Sequence, residues 1–182
     1  MNTTAIIAII IAVIALAVAV WAVWQTQRSK RLRSKFGPEY DYTVERQGDR
    51  RKAETELAHR ETEVKHLRIR DLSQREREQF AHAWREQQAR FVEDPRLAVM
   101  EADQLVTRVM TTRGYPTADY ETQAAYASVD HSHVIGDYRE AHAIAERSRN
   151  GQASTEDLRK AMISYRRLFE DLVGSAVLSH DV

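Results

Sequence analysis

The chain has 182 residues, which is enough for one or two compact domains. Its 27 basic and 27 acidic residues give a formal net charge of zero, which argues against a nucleic-acid-binding protein, because such proteins need a basic field. Cysteine is absent, so disulfides, thiolate nucleophiles and cysteine-ligated metals are excluded. Glycine and proline are scarce, with six and three residues, and this composition favours helices over β-sandwiches and glycine-rich phosphate loops.

The first predicted element is a run of twenty consecutive apolar residues from Ala5 to Trp24. As a helix this run is roughly 30 Å long, which matches the hydrocarbon core of a bilayer. Trp21 and Trp24 lie at its C-terminal end, where indole rings favour the boundary between membrane and water. The sequence therefore predicts a retained transmembrane anchor over residues 1–27.

A cleaved signal peptide is the main alternative for this segment. Signal peptides carry positive charge before a shorter apolar stretch, whereas here the preceding flank, MNTT, is uncharged. The basic residues come afterwards, and they are Arg28, Lys30, Arg31, Arg33 and Lys35. Because lysine and arginine resist translocation, we expect a single-pass protein of the inner (plasma) membrane with its N-terminus outside and the rest cytoplasmic. The basic flank is expected to attract anionic lipid headgroups or to act only as a topology signal.

Residues 28–72 are predicted to form a basic, highly charged helical stalk. Apolar side chains recur in it at helical and then roughly heptad spacing, at Phe36, Tyr40, Val44, Ala53, Leu57, Val64 and Leu67. This spacing indicates a coiled coil with a partner helix, such as another copy of the chain. Arg60 falls where the seam needs an apolar residue, so an exposed helix without a partner is equally consistent. Gly37-Pro38 marks a helix start or a kink.

Residues 73–174 are predicted to form a small bundle of four or five helices. Helix starts are indicated by a capping box from Ser73 to Glu76, by Asp94-Pro95, and by Ser154. A further helix is expected from about His131 to Ser148, and each helix has one apolar face. The fold class is therefore all-α, with an anchor, a stalk and a C-terminal bundle, and residues 175–182 are left as an unassigned tail.

The densest polar cluster in the bundle is the segment from Asp130 through His131 to His133. Histidine and aspartate are common metal ligands, but on a helix the two histidines would point about 200° apart. A metal-binding pair on a helix takes i, i+4 spacing. We interpret Asp130 as a helix cap and the histidines as polar residues of the first turn, with a metal site as the alternative. His82 and His142 are isolated and are assigned to a surface or interface.

No catalytic motif is present: the sequence lacks GxxxxGK[ST], GxGxxG, GxSxG and HExxH, so we predict no enzyme and no cofactor. Two basic patches, residues 50–52 and residues 166–167, are too small to indicate nucleic-acid binding and are interpreted as solvated helix faces. Three aromatic residues at helical spacing are assigned to the core rather than to a binding groove; they are Phe80, Trp84 and Phe91.

Several stretches, among them RSKRLRSKFGPEYD, EADQLVTRVMTTRGYP and SVDHSHVI, resemble a family of bacterial single-span membrane proteins with a charged stalk and a helical domain. The resemblance implies that layout and no activity, cofactor or catalytic residue. The sequence thus predicts a membrane-anchored, non-enzymatic interaction protein whose bundle docks a protein partner or itself. The alternatives are a metal-binding or catalytic domain using Asp130, His131, His133 and His142, and a structural organiser that oligomerises through the stalk.

Overall fold

A computed structural model describes residues 3–116 and 118–174, with side chains from Ile11 onward. Over these residues the chain is all-helical, as predicted, with eight α-helices. They are α1 (Thr3–Phe36), α2 (Pro38–Gln47), α3 (Arg50–His66), α4 (Gln74–Arg90), α5 (Pro95–Arg113), α6 (Tyr120–Ala127), α7 (Ile135–Arg149) and α8 (Thr155–Val173). The predicted tail, residues 175–182, lies outside the described residues.

Helix α1 has 34 residues and is therefore roughly 51 Å long. Its large apolar side chains between Ile11 and Trp24 are 52–66% exposed. Within the described chain it is the one helix long and apolar enough to cross a membrane. The core helix of a soluble protein would be mostly buried, so this exposure separates α1 from such a helix.

The C-terminal part of α1 is built differently, because it packs on α2 and α3. Ser29, Leu32 and Phe36 recur at intervals of three and four residues on one face and are buried. Leu32 and Phe36 form a small core with side chains from the following helices and from the turn after α6; these are Tyr40, Leu57, Val64 and Val129. The apolar positions that suggested a coiled coil are therefore covered within the same chain.

The segment predicted as a stalk is folded back on itself rather than extended. Gly37 and Gly48 adopt positive φ values, +50° and +64°, which glycine reaches without the steric penalty of a Cβ. The chain reverses at both glycines, so α2 runs back along α1 towards the apolar segment and α3 runs away again. Side chains near the start of α3 consequently line the same cavities as residues 25–29 of α1.

Helices α4 to α8 enclose the main hydrophobic core, and α8 packs most extensively against α5 and α7. Trp84 is fully buried and stacks on Phe169, with ring centroids 4.8 Å apart. Phe80 and Phe91 pack against this core, in agreement with their assignment to it. Ile69 contacts both the main core and the smaller core around α1, so the two cores are joined.

Candidate functional site

The residues that the sequence assigned to the membrane interface lie where the apolar segment of α1 meets the domain. Trp21 and Trp24 are both about half exposed on α1. The guanidinium of Arg28 lies over the ring of Trp24, 5.6 Å from its centroid. Lys30 is exposed. Trp21, Trp24 and Lys30 are thus exposed, whereas Arg28 is partly buried.

The other three basic residues of the flank also attach α1 to the domain. Arg31 and Lys35 both bind Glu61 of α3, with nitrogen–oxygen distances of 2.7 and 3.3 Å. Arg33 binds Asp41 of α2 at 3.2 Å in an exposed pair. Burial alone would raise the pKa of Glu61, but the Lys35 and Arg31 cations outweigh burial and lower this pKa below its ordinary value. The basic residues after the apolar run therefore expose positive charge and also hold α1 against α2 and α3.

Glu54 is the buried hydrogen-bond acceptor that ties α1, α2 and α3 together. Its carboxylate accepts hydrogen bonds from the hydroxyls of Ser29 and Tyr40, the second at 2.8 Å, and from Nε of Arg50 at 3.0 Å. Burial acts to raise the pKa of Glu54, but the three donors together lower it. An ionised carboxylate with three donors from three helices holds α1 at a fixed angle to the domain.

Arg60, which interrupted the apolar pattern of the stalk, is part of a second buried network. Oε1 of Glu39 accepts a hydrogen bond from Arg60 and another from Arg139 of α7, each at 2.9 Å. Glu39 is 2% exposed and Arg60 is 4% exposed. Arg139 also lies over the ring of Tyr42, 4.4 Å from its centroid. This network fastens α2 and α3 to the main bundle.

The predicted helix start at Asp130 is wrong, because α7 begins at Ile135 and residues 128–134 form turns. The amide groups of Val134 and Ile135 both donate to the carbonyl of His131, so no side-chain cap is required there. Asp130 instead accepts a hydrogen bond from the hydroxyl of Tyr115 at 3.2 Å. Polar residues in this segment therefore serve a turn and its packing, not a helix N-terminus.

The turn brings His131 and His133 to the same carboxylate. On a helix, as the sequence predicted, the two rings would have pointed in different directions. Asp171 of α8 lies 2.5 Å from Nδ1 of His131 and 3.3 Å from Nε2 of His133. The other ring nitrogen of His131 lies 3.3 Å from the guanidinium of Arg113, and a fixed cation there opposes a bound metal ion. Among the described residues, no group of three or more possible ligands is arranged to hold a metal.

His142 belongs to a separate network inside the main bundle. Its Nδ1 lies 3.1 Å from Asp103, and its ring stacks on Tyr120 with centroids 3.6 Å apart. Asp103 also accepts the hydroxyl of Tyr165 at 2.8 Å. Burial, followed by the charge of Asp103, raises the pKa of Tyr165 far above its ordinary value, so this hydroxyl remains a donor. His82, by contrast, is exposed and faces Glu86 at 3.6 Å.

Comparison with protein-family models, curated proteins and solved structures gives no match. The functional interpretation therefore depends on the chain's own geometry. Membership of a bacterial single-span family stays a prediction.

The buried position of His131 predicts a pH-dependent stability. Burial lowers its pKa more than Asp171 raises it, and Arg113 lowers it further. As pH falls below the unfolded-state value of 6.5, the unfolded chain binds a proton that the folded chain does not. The free energy of unfolding should therefore decrease on acidification from pH 7.5 to 5.5, with a contribution from His131 of at most about 1.4 kcal/mol per pH unit.

Chemical denaturation of the full chain in nanodiscs, followed by circular dichroism at several pH values, measures this slope. His131→Asn should flatten it even if the variant is less stable at every pH. His82→Asn is the control, because His82 is exposed, and it should keep the wild-type slope. An unchanged slope in the His131 variant would contradict the prediction.

Proposed function

We propose that this protein is a membrane-anchored, non-enzymatic interaction protein that presents a small helical bundle to a cytoplasmic protein partner. The observation that carries the proposal is the continuity of α1. One helix runs without a break from an exposed apolar segment into the domain, where Leu32 and Phe36 are fully buried. A partner docking on the bundle would therefore be held at a set distance and orientation relative to the membrane.

The contacts around α1 support a rigid connection. A flexible tether would leave the residues after the apolar segment solvated, as in glycine- and serine-rich linkers. Here Ser29 is buried and donates to Glu54, and Arg31 and Lys35 bind Glu61. Residues from 28 onward thus act as part of the domain rather than as a free stalk, and the proposed scaffold has a fixed geometry.

The two alternative functions have less physical support. A metal ion on the turn would have to displace Arg113 from His131. Asp130 would also have to give up the hydrogen bond that it accepts from Tyr115 before it could bind the metal. Oligomerisation through a coiled coil would have to use Leu57 and Val64, which are already buried inside the chain. Neither arrangement follows from the folded structure without rearrangement.

Single-cysteine variants test the proposed orientation, because the sequence has no cysteine and label on the purified protein therefore reports only the introduced position. Asn2→Cys lies before the apolar run, and Val92→Cys lies at a domain position that is 86% exposed. In intact cells, a membrane-impermeant maleimide should label the first variant and should label the second only after permeabilisation. The reverse pattern would place the domain outside and would overturn the cytoplasmic assignment.

The same variants test docking when a thiol-attached photocrosslinker is used in intact cells. Val92→Cys and Ile163→Cys, both at exposed apolar positions of the bundle, should yield a discrete product heavier than one chain. The control, Val13→Cys on the apolar part of α1, should not yield the same product. A product of twice the chain mass would show self-association instead of a separate partner, and no discrete product from either domain position would contradict the proposal.

A further inference from the structure

A notch lies between α1 and the turn that joins α2 to α3. Two cavities of about 290 and 450 Å³ open on either side of the same three residues, Thr26, Ser29 and Arg50. The notch exists because α2 folds back along α1 and returns the start of α3 to the level where the apolar run ends. We call these two cavities together the membrane-side notch.

The notch lies at the depth of lipid headgroups if α1 spans a bilayer. Trp24 is the last residue of the apolar run, and a helix rises by 1.5 Å per residue. Thr26 and Ser29 are therefore roughly 3 and 7.5 Å beyond the apolar run. Each headgroup region extends roughly 5–7 Å beyond the hydrocarbon core, so the notch faces the layer that contains the lipid phosphates.

The charge of the notch fits an anionic ligand. Its cationic lining comes from two elements, with Lys30 and Arg33 on α1 and Arg50 and Arg51 on α3. The carboxylate that lines it, Asp49, accepts a hydrogen bond from the backbone of residue 52 at 2.8 Å and so caps α3. In the described part of the chain, neither Lys30 nor Arg51 forms an ion pair, so both remain available to a ligand.

Arg50 is oriented in advance for a phosphate. Its Nε donates to the buried carboxylate of Glu54 at 3.0 Å and to the hydroxyl of Tyr40 at 3.1 Å. Among the residues that the structure describes, Nε is the one nitrogen of Arg50 that is engaged, so the two terminal nitrogens remain for a ligand. A guanidinium fixed in this way loses little side-chain entropy on binding and matches the planar recognition that phosphate oxygens favour.

We propose that the membrane-side notch binds the phosphate of an anionic membrane lipid through Lys30, Arg33, Arg50 and Arg51. The proposal rests on the membrane anchoring in the proposed function and adds a specific lipid contact to it. It also gives residues 50 and 51 a role that a solvated helix face does not have. Through this contact the lipid would join α1 to α3 and fix the domain against the bilayer surface.

Native mass spectrometry of the detergent-solubilised full chain tests the proposal by titration with dioleoylphosphatidylglycerol or, separately, dioleoylphosphatidylcholine. The variant is Lys30→Gln/Arg51→Gln, since these side chains form no ion pair in the described fold and their loss should not unfold it. The control is Arg147→Gln/Lys160→Gln, which removes the same charge from exposed positions on α7 and α8. A third arm adds inorganic phosphate as a competitor.

The wild type and the control should bind phosphatidylglycerol equally and more tightly than phosphatidylcholine. The notch variant should bind phosphatidylglycerol about 10–30-fold more weakly. Equal binding by the notch variant, or an equal loss in both variants, would overturn the site. Displacement of the lipid by millimolar phosphate would show a free-phosphate site and overturn the lipid assignment. Membrane fractionation of the wild type separates these outcomes from failure of the proposed function, which would leave the chain outside the membrane.

Discussion

Replacing Glu39 with glutamine is expected to lower the free energy of unfolding by about 3 kcal/mol, an unusually large effect for an almost isosteric change. The carboxylate of Glu39 compensates two guanidinium groups, those of Arg60 and Arg139, each 2.9 Å away. The carboxylate is almost completely buried, and Arg60 and Arg139 are 5% and 11% exposed in their side chains. Removal of the negative charge leaves Arg60 and Arg139 with the more exposed carboxylates of Glu56 and Glu121, at 3.0 and 3.6 Å. The buried ends of both guanidiniums then lose the negative charge that compensates them in the interior.

Asp41→Asn is the matched control for this variant. Asp41 lies in the first turn of the same helix and also pairs with an arginine, Arg33, at 3.2 Å. Both partners of that pair are more than 60% exposed, so its loss should cost less than about 1 kcal/mol. Chemical denaturation of the full chain in nanodiscs, followed by circular dichroism, measures both variants.

A double-mutant cycle then separates the ion pair from local effects. Arg60→Met should be destabilising alone, but in combination with Glu39→Gln it should cost at least about 1 kcal/mol less than the sum of the two changes. Strict additivity would show that Glu39 and Arg60 do not stabilise each other. If Glu39→Gln lowers the free energy of unfolding no more than Asp41→Asn does, then the Glu39 network does not hold helices α1 to α3 to the bundle.

Features that depend on neighbouring residues could be predicted from the sequence. The helix start at Ser73 is recognisable because a capping box needs only the cap and the residue three positions later, and this box is present. The start at Ser154 is confirmed as well. The apolar run from Ala5 to Trp24 was equally local, because length and composition alone show that a helix could span a bilayer. The all-α class followed from such local signals.

Features that depend on distant residues could not be predicted in the same way. Glu39 and Arg139 are 100 positions apart, and only the misplaced Arg60 in the apolar pattern gave a signal that a buried partner existed. Residues 131–134 were mistaken for the first turn of a helix, because aspartate, here Asp130, is a common helix cap. Asp171, which contacts both histidines, is 40 positions from His131 and has no local signal for that role.

The fold-back at Gly37 and Gly48 was the most consequential feature that the sequence did not reveal. The sequence indicates a helix start or a kink at Gly37-Pro38, but a glycine can end, kink or reverse a helix, and the choice depends on what the next helix packs against. Here α3 buries Leu57 and Val64 against α1 and α2. A coiled coil with a second chain would bury the same residues, so the pattern alone could not separate the two arrangements.

The second large effect expected is the loss of membrane association in the double variant Ile14→Arg/Val18→Arg. The run from Ala5 to Trp24 contains eleven isoleucine, leucine and valine residues, which together favour insertion by about 3–7 kcal/mol on the translocon scale. The substitutions remove two of these residues, so the remaining nine favour insertion by about 3–5 kcal/mol, and two arginines near the centre oppose insertion by about 5–7 kcal/mol. The net free energy of membrane insertion therefore becomes unfavourable, and the variant should leave the membrane fraction.

Carbonate extraction followed by sedimentation measures this change. The control is Val92→Arg/Ile163→Arg, which adds the same two charges at exposed positions of the bundle and should leave the chain in the membrane pellet. Ile14 and Val18 are more than half exposed, so the α1–α3 unit and the bundle should keep their wild-type thermal unfolding by circular dichroism. A double variant that stays in the pellet would mean that the domain, and not α1, holds the protein at the membrane. In that case the rigid continuity of α1 could not be what positions the bundle.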